Sequence, residues 1–395
     1  MTENHDLLGS DTPPSTIIVS GEFPPDLGGT ATVAGELHDV LFSAGGKVRV
    51  ISLGDFDRVD RDGRTTRFPR RWGWARRTLR IARQLRRNRD RFDVIVAFSL
   101  HEAAVLGAKL ARLPVVIFVP ADQVWERARR RRLTTSSFER FQDQPSKDVR
   151  VWSMRTLRRV ALSNADQLLV PSEVMRRWVA RWSPGAEIGV LHPVIRPVDE
   201  RPPGRRRPVS EPLRLAFAGR LAGIKRVELI LWSMRGLSDV EIVILGDGPE
   251  RRRLEATAET LGIRARFRGA VPHEEVLREF EQADLLVLAS DFESFGNVIV
   301  EAISVGTPVL APATGGIPEA CAGGGCWLMD EASTEEIRRA ILRLRDDSDT
   351  LAHLKAAAAN SHGPTADDAF TVKEIDLLLR QVVDGRSSGT KTGRS

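Results

Sequence analysis

Short apolar segments alternate with longer amphipathic ones along most of this chain, and that alternation restricts its fold more than any other feature. Residues 16–20, 48–53, 93–98, 115–119, 167–170 and 187–191 read as strands. Stretches 30–44, 75–89, 102–112, 150–163 and 173–182 between them read as helices. Four to six apolar residues bounded by helices are the pattern of parallel βαβ units, whose strands are covered on both faces. The pattern breaks at 192–212, HPVIRPVDERPPGRRRPVSEP, which has six prolines and no period. Proline fixes φ and removes a donor, so this segment reads as a linker. A second series follows, with strands at 213–218, 240–245, 265–268, 284–288 and 307–311. The expected fold class is α/β, with two Rossmann-like doubly wound domains facing across a cleft. The expected division is a first domain over 1–194, a linker over 195–212 and a second domain over 213–364. A helix over 365–383 is expected to return toward the first domain, and 384–395 to form a disordered tail. A length of 395 residues suits two such domains.

No apolar run approaches the ~18 residues that span a bilayer. Residues 1–15 are polar and acidic rather than a basic-then-apolar leader. Both features point to the cytoplasm. Cys321 and Cys326 lie close together in a Gly-rich stretch and lack two further zinc ligands at a recognisable spacing, so they read as reduced thiols. Tyrosine is absent, which removes it as nucleophile or acid. Charge is unevenly spread. Residues 1–195 hold 32 Lys and Arg against 22 Asp and Glu, a net of +10, whereas the whole chain carries +6. The first half is therefore the side that attracts anions.

Three loops at strand ends are candidates for chemistry. In 291–301, DFESFGNVIVE, Glu293 precedes a helix expected to start near Gly296, and Glu301 lies inside it. The backbone of Gly296 and Asn297, after Phe295, would offer N–H groups to a diphosphate, and a carboxylate in the helix can accept from a ribose diol. A capped helix with two ordinary glutamates is the plainer reading. In 218–225, AGRLAGIK, Arg220 and Lys225 would project from one loop and offset the charge on a leaving diphosphate without a metal; two solvated surface cations is the plainer alternative. In 23–29, FPPDLGG, Gly28 and Gly29 permit close backbone approach to a phosphate or sugar, although such a turn can be purely structural.

FPPDLGG, GRLAGIK, LGDGPE, FRGAVPHEEV, ESFGNVIVEA and GTPVLAPATGGIPEA, in this order, resemble the family-4 retaining GT-B glycosyltransferases, glycosyltransferase group 1. The resemblance implies a nucleotide-sugar donor, most commonly a UDP-sugar, a hydroxyl acceptor on the first domain, no cofactor and no metal. It implies a diphosphate held by Arg220 and Lys225, a ribose held by Glu301, and the transferred sugar met by Glu293. A backbone donor at Gly29 and a nucleobase wall over 269–271, including Val271, complete the set. Two departures stand out. Many members have glycine after the lysine, where this chain has Arg226. Many carry a histidine after the strand at 115–119, where this chain reads Val119, Pro120, Ala121 and Asp122. Asp122 is then the nearest ionisable group for acid–base help, with His101 as its rival. A degenerate nucleotide-sugar-binding or partner subunit and a GT-B epimerase remain as alternatives.

Asp55, Asp57, Asp60 and Asp62 give two D-x-D spacings, but in a mixed-charge loop that reads as solvated rather than metal-binding. The stretch from Arg70 to Arg91 places Ala75, Leu79, Ala82 and Leu85 on one helical face with arginines around it. A helix packed on the sheet is the plain expectation. The sharper one is contact with an anionic acceptor or membrane surface, to which Arg127–Arg132 adds a second cluster. No nucleic-acid module accompanies the charge.

Overall fold

The computed structural model describes residues 12–26, 28–55, 58–59, 63–144, 146–192, 212–361 and 368–389. The chain divides into two compact units, 1–194 with 366–395, and 195–365. The Pro-rich segment 192–212 lies outside the described residues, apart from His192 and Pro212 at its edges.

The first unit holds an eight-stranded sheet: β1 (Thr16–Val19), β2 (Val48–Gly54), β3 (Arg58–Val59), β4 (Thr65–Pro69), β5 (Val94–Ala97), β6 (Val115–Phe118), β7 (Gln167–Val170) and β8 (Ile188–Val190), in the order β3-β4-β2-β1-β5-β6-β7-β8. Every described pairing is parallel except β3 with β4. The residues of β1, β5, β6 and β7 are buried throughout, as strands covered by helices on both faces must be. The second unit holds β9 (Leu213–Ala218), β10 (Val240–Leu245), β11 (Arg264–Gly269), β12 (Leu285–Val287), β13 (Val309–Pro312) and β14 (Cys326–Met329) in the order β11-β10-β9-β12-β13-β14, all parallel. Both units are doubly wound and Rossmann-like. The strand order reverses between β1 and β5 in the first and between β9 and β12 in the second, and ligands of such sheets bind where it does. Side-chain caps start many of the helices: Ser172 before Glu173–Trp182, Asp148 before Val149–Leu162 and Ser333 before Thr334–Asp346.

Several details depart from expectation. The helix Trp74–Arg87 buries Thr78, Ile81, Ala82 and Leu85, while Ala75 and Leu79 face outward. A 3.6-residue period permits either stripe, and packing against the helix His101–Ala111 selects the one that buries Ile81. The last helix, Asp368–Gly389, runs past Gly385 instead of giving way to a tail there, with Arg386 3.2 Å from Asp166 on the first unit. Its Leu379 is buried beside Leu37, Leu41 and Val96, so it completes the first unit's core. Cys321 and Cys326 form a disulfide rather than standing reduced. Gly324 and Gly325, both at positive φ, reverse the chain between them and bring the Cα atoms to 5.8 Å. No helix among the described residues is long and apolar enough to cross a membrane.

Candidate functional site

The loops after β9 and β12, on either side of the strand-order reversal, are bound together. Lys225 Nζ donates to Glu293 Oε1 at 2.5 Å, and Ser290 Oγ donates to the same oxygen at 2.6 Å. Arg226 reaches Asp291 Oδ1 at 2.8 Å, and the Asp291 N–H donates to the Ile224 carbonyl at 2.8 Å. Arg226 has φ 49°, in the left-handed region. That conformation explains why glycine suits this position; here the ion pair with Asp291 holds a non-glycine residue in it. Arg220 is exposed on the same loop, and its guanidinium makes no ion pair among the described residues.

Glycines in neighbouring loops back this pair. The Gly316 N–H donates to the Glu293 carbonyl at 2.8 Å. A Cβ on Gly315 would collide with that same carbonyl, and one on Gly316 would lie 2.8 Å from Phe295 Cα. Behind the Arg220 loop, a Cβ on Gly246 would strike the Gly219 carbonyl, and one on Gly248 would strike the Leu221 backbone. Gly246 donates in turn to the Gly269 carbonyl at 2.7 Å, which ties in the turn carrying Val271. Val271 is half-buried against the second unit's core.

Gly296, at φ 105°, starts the helix Asn297–Ser304 without a side-chain cap or an acidic first turn. Such an end is suited to an anion. Asn297 is half-buried there, whereas the Phe295 side chain belongs to the core, which leaves only its backbone for a ligand. Glu301, also half-buried, has its carboxyl held above the ordinary range by burial, with His273 nearby opposing the rise. A partly desolvated carboxyl accepts hydroxyl donors readily.

In the first unit, Gly28 (φ 138°) and Gly29 open the helix Gly29–Ser43 and are exposed, again without a side-chain cap. Asp26 braces their turn: its Oδ2 accepts from the Phe23 N–H at 3.1 Å and from Arg70 at 2.6 Å. Across the reversal, Gly21 donates to Ser99 Oγ at 2.5 Å. Asp122 does not stand open for acid–base work. Its side chain is closed to solvent, Oδ1 caps Val124 and pairs with Arg158 at 2.7 Å, and Oδ2 accepts from Gln142 at 2.6 Å. A carboxylate so occupied organises the loop after β6. His101 is buried at the start of its helix; burial lowers its pKa, and Nε2 has no partner among the described residues. Asp55 is exposed, and Asp57, Asp60 and Asp62 lie outside the described residues.

In the sequence alone, Ser290, Asp291, Gly315 and Gly316 carry no assigned role. Ser290 and Asp291 sit within three residues of Glu293, a visible signal; the glycine pair becomes informative only once the loop at 314–316 is seen against Glu293.

Two doubly wound units, with paired charges at the strand-order reversal of the second, define the GT-B architecture. Solved structures agree in fold. Sucrose-phosphate synthase from Thermosynechococcus elongatus aligns with a TM-score of 0.72 at 20% identity, over 95% of this chain and 100% of that one. Anabaena HepE in complex with UDP-glucose aligns with a TM-score of 0.66 at 17% identity, over 94% and 99%. The family model described as Glycosyltransferase Family 4 matches residues 27–198, and that described as Glycosyl transferases group 1 matches 203–361. The chain belongs to this family of glycosyltransferases. It is 31% identical over 235 residues to a GDP-mannose-dependent alpha-mannosyltransferase of Corynebacterium glutamicum, a match covering 58% of this chain and 52% of that protein. It is 35% identical over 181 residues to D-inositol 3-phosphate glycosyltransferase of Mycobacterium tuberculosis, covering 41% and 37%. The matches thus span about half or less of these relatives' lengths.

Proposed function

We propose that the protein is a retaining, metal-independent glycosyltransferase that moves a sugar from a nucleoside diphosphate sugar to a hydroxyl acceptor. The observation that supports this reading best is the Lys225–Glu293 pair at the β9/β12 reversal, beside the uncapped helix start at Gly296. In this scheme the bond from the sugar's anomeric carbon to the diphosphate oxygen breaks while a bond to the acceptor oxygen forms on the same face. The acceptor's proton passes to the departing phosphate. Arg220 and Lys225 offset the charge gained by the diphosphate. Glu293, fixed by Lys225 and Ser290, meets the transferred sugar. Glu301 accepts from the ribose diol and Val271 lies against the base; Gly28 and Gly29, exposed at an uncapped helix start, are suited to offer backbone donors to a phosphate or sugar.

The base is the open choice. Family habit favours uridine, HepE was solved with UDP-glucose, and the mannosyltransferase relative is named for GDP-mannose. A thermal-shift series with UDP, GDP and their sugars, followed by turnover of the best donor with and without EDTA, tests the whole reading. Absence of a shift with every nucleoside diphosphate, or strict dependence on a divalent ion, overturns it. The basic first unit and the relative named for inositol 3-phosphate favour an acceptor bearing negative charge. A subunit that binds donor without transfer is the competing reading, favoured by the sequestered Asp122. Such a subunit shifts with nucleotide but never releases it from the sugar.

A further inference from the structure

Eleven large apolar side chains are exposed among the described residues, and six of them lie on two helices of the first unit. Trp74 and Leu79 are on Trp74–Arg87; Val149, Trp152, Leu157 and Val160 are on Val149–Leu162. The helix His101–Ala111 packs against both and joins them into one layer. Val149 is 75% exposed, Trp152 61% and Val160 54%. Their spacing of three, then eight residues keeps them on one side of their helix, opposite the buried Val151, Ala161 and Leu162. An apolar concentration of this kind marks a surface that water does not normally cover.

Its charge identifies the occupant. The helix Trp74–Arg87 has six arginines and no acidic residue, and Val149–Leu162 has four and none. Arg76, Arg80, Arg83, Arg86 and Arg87 share the outward side of the first helix with Leu79 and make no ion pair among the described residues. Arg159 is exposed and unpaired in the same sense beside Val160, whereas Arg150 and Arg158 are engaged by Asp148 and Asp122. A second copy of this face would bring arginine against arginine. A nucleic acid would answer the charge and leave Val149, Trp152 and Val160 in water. An anionic lipid surface answers both, taking guanidinium groups at the phosphates and tryptophan and aliphatic side chains at the acyl boundary.

We propose that the face formed by helices Trp74–Arg87 and Val149–Leu162 seats the protein on an anionic phospholipid bilayer. It lies on the surface and does not span it. The proposal is independent of glycosyl transfer, so its test measures no turnover.

The test is cosedimentation of the full chain with vesicles of phosphatidylcholine alone and of phosphatidylcholine mixed with phosphatidylglycerol. Binding is expected to the mixed vesicles, to fall with salt, and to be weak on the neutral ones. Each juxtamembrane arginine contributes about fivefold, so R76Q/R80Q/R83Q should weaken partition by about a hundredfold. V149S/W152S/V160S should weaken it at least tenfold, with thermal melting and far-UV circular dichroism unchanged in both variants. The proposal is overturned if the wild-type chain ignores mixed vesicles or binds both kinds equally. A folded variant of either set that partitions within twofold of wild type overturns it as well, as does a sedimentation-velocity dimer that V149S/W152S/V160S dissolves.

Discussion

Lys225→Ala is the most informative single change, because it removes both the observed contact with Glu293 and the proposed contact with the diphosphate. In the free protein its ammonium lies 2.5 Å from Glu293 Oε1, with the side chains 23% and 14% exposed. A hydrogen bond to a charged group in such a setting contributes about 1.5–3 kcal/mol. Removing it leaves Glu293 with the Ser290 hydroxyl as the remaining donor to that oxygen. In turnover the lysine would also face the departing diphosphate, where loss of one aimed donor costs ~2.7–4 kcal/mol, or about a hundred- to a thousandfold in kcat. The two effects separate in a double-mutant cycle of Lys225→Met and Glu293→Gln. Coupling in both melting and turnover should be ~1–3 kcal/mol, as for charged groups in contact. The assay is release of nucleoside diphosphate from the donor at saturating acceptor, with a thermal melt of each variant. Turnover of Lys225→Ala within twofold of wild type would refute the assignment of this lysine.

Three further outcomes follow from particular contacts. Because burial raises the Glu301 pKa above its ordinary 4.5, its contribution to stability is present below that value and lost as pH rises through the raised one. Glu301→Gln should therefore raise the melting temperature at about pH 7, change it little at about pH 4, and weaken nucleotide-sugar binding by calorimetry; unchanged affinity would remove the ribose role. Asp122→Ala breaks a buried ion pair with Arg158 and should cost ~3–5 kcal/mol in denaturant unfolding, with turnover per folded molecule preserved. A stable variant with lost turnover would restore a catalytic role to Asp122. Gly316→Ala should cost ~1–3 kcal/mol by overpacking against Phe295, while Gly223→Ala, which meets nothing within 4 Å, should stay within about 0.5 kcal/mol; identical melts would contradict the close packing.

The doubly wound architecture was legible because fully buried parallel strands leave an unbroken apolar signature, as in VIVA and VVIF. The β4 strand, TTRFP, was not, since its threonines, arginine and proline read as loop until they pair with β2. Lys225 and Glu293 could be singled out by motif, but not their contact, because 68 residues separate them and only the reversal of strand order brings them together. Arg226 registered as an oddity in the sequence; its positive φ and Asp291 partner are three-dimensional facts. Asp122 sits at an expected position, yet the partners that close it off, Gln142 and Arg158, lie 20 and 36 residues away and are not visible in the sequence. Leu79 was assigned inward by a period that fits two stripes equally.

The helix Asp368–Gly389 finishes a core begun by residues more than 170 positions earlier, so the first unit is discontinuous and the second is inserted within it. At about 5–20 residues per second, a ribosome needs roughly 10–35 s to make the intervening 195–365. During that interval the nascent first unit lacks Leu379 and presents Leu37, Leu41 and Val96 with a seat unfilled, while the inserted unit has every strand it needs. Synthesis order is thus inverted in completion: the later unit can close first, and the earlier one waits for a chaperone's attention or for its final helix. A recombinant fragment ending near residue 194 would be held permanently at that unfinished stage, and co-expression of 366–395 as a separate peptide is the way to release it.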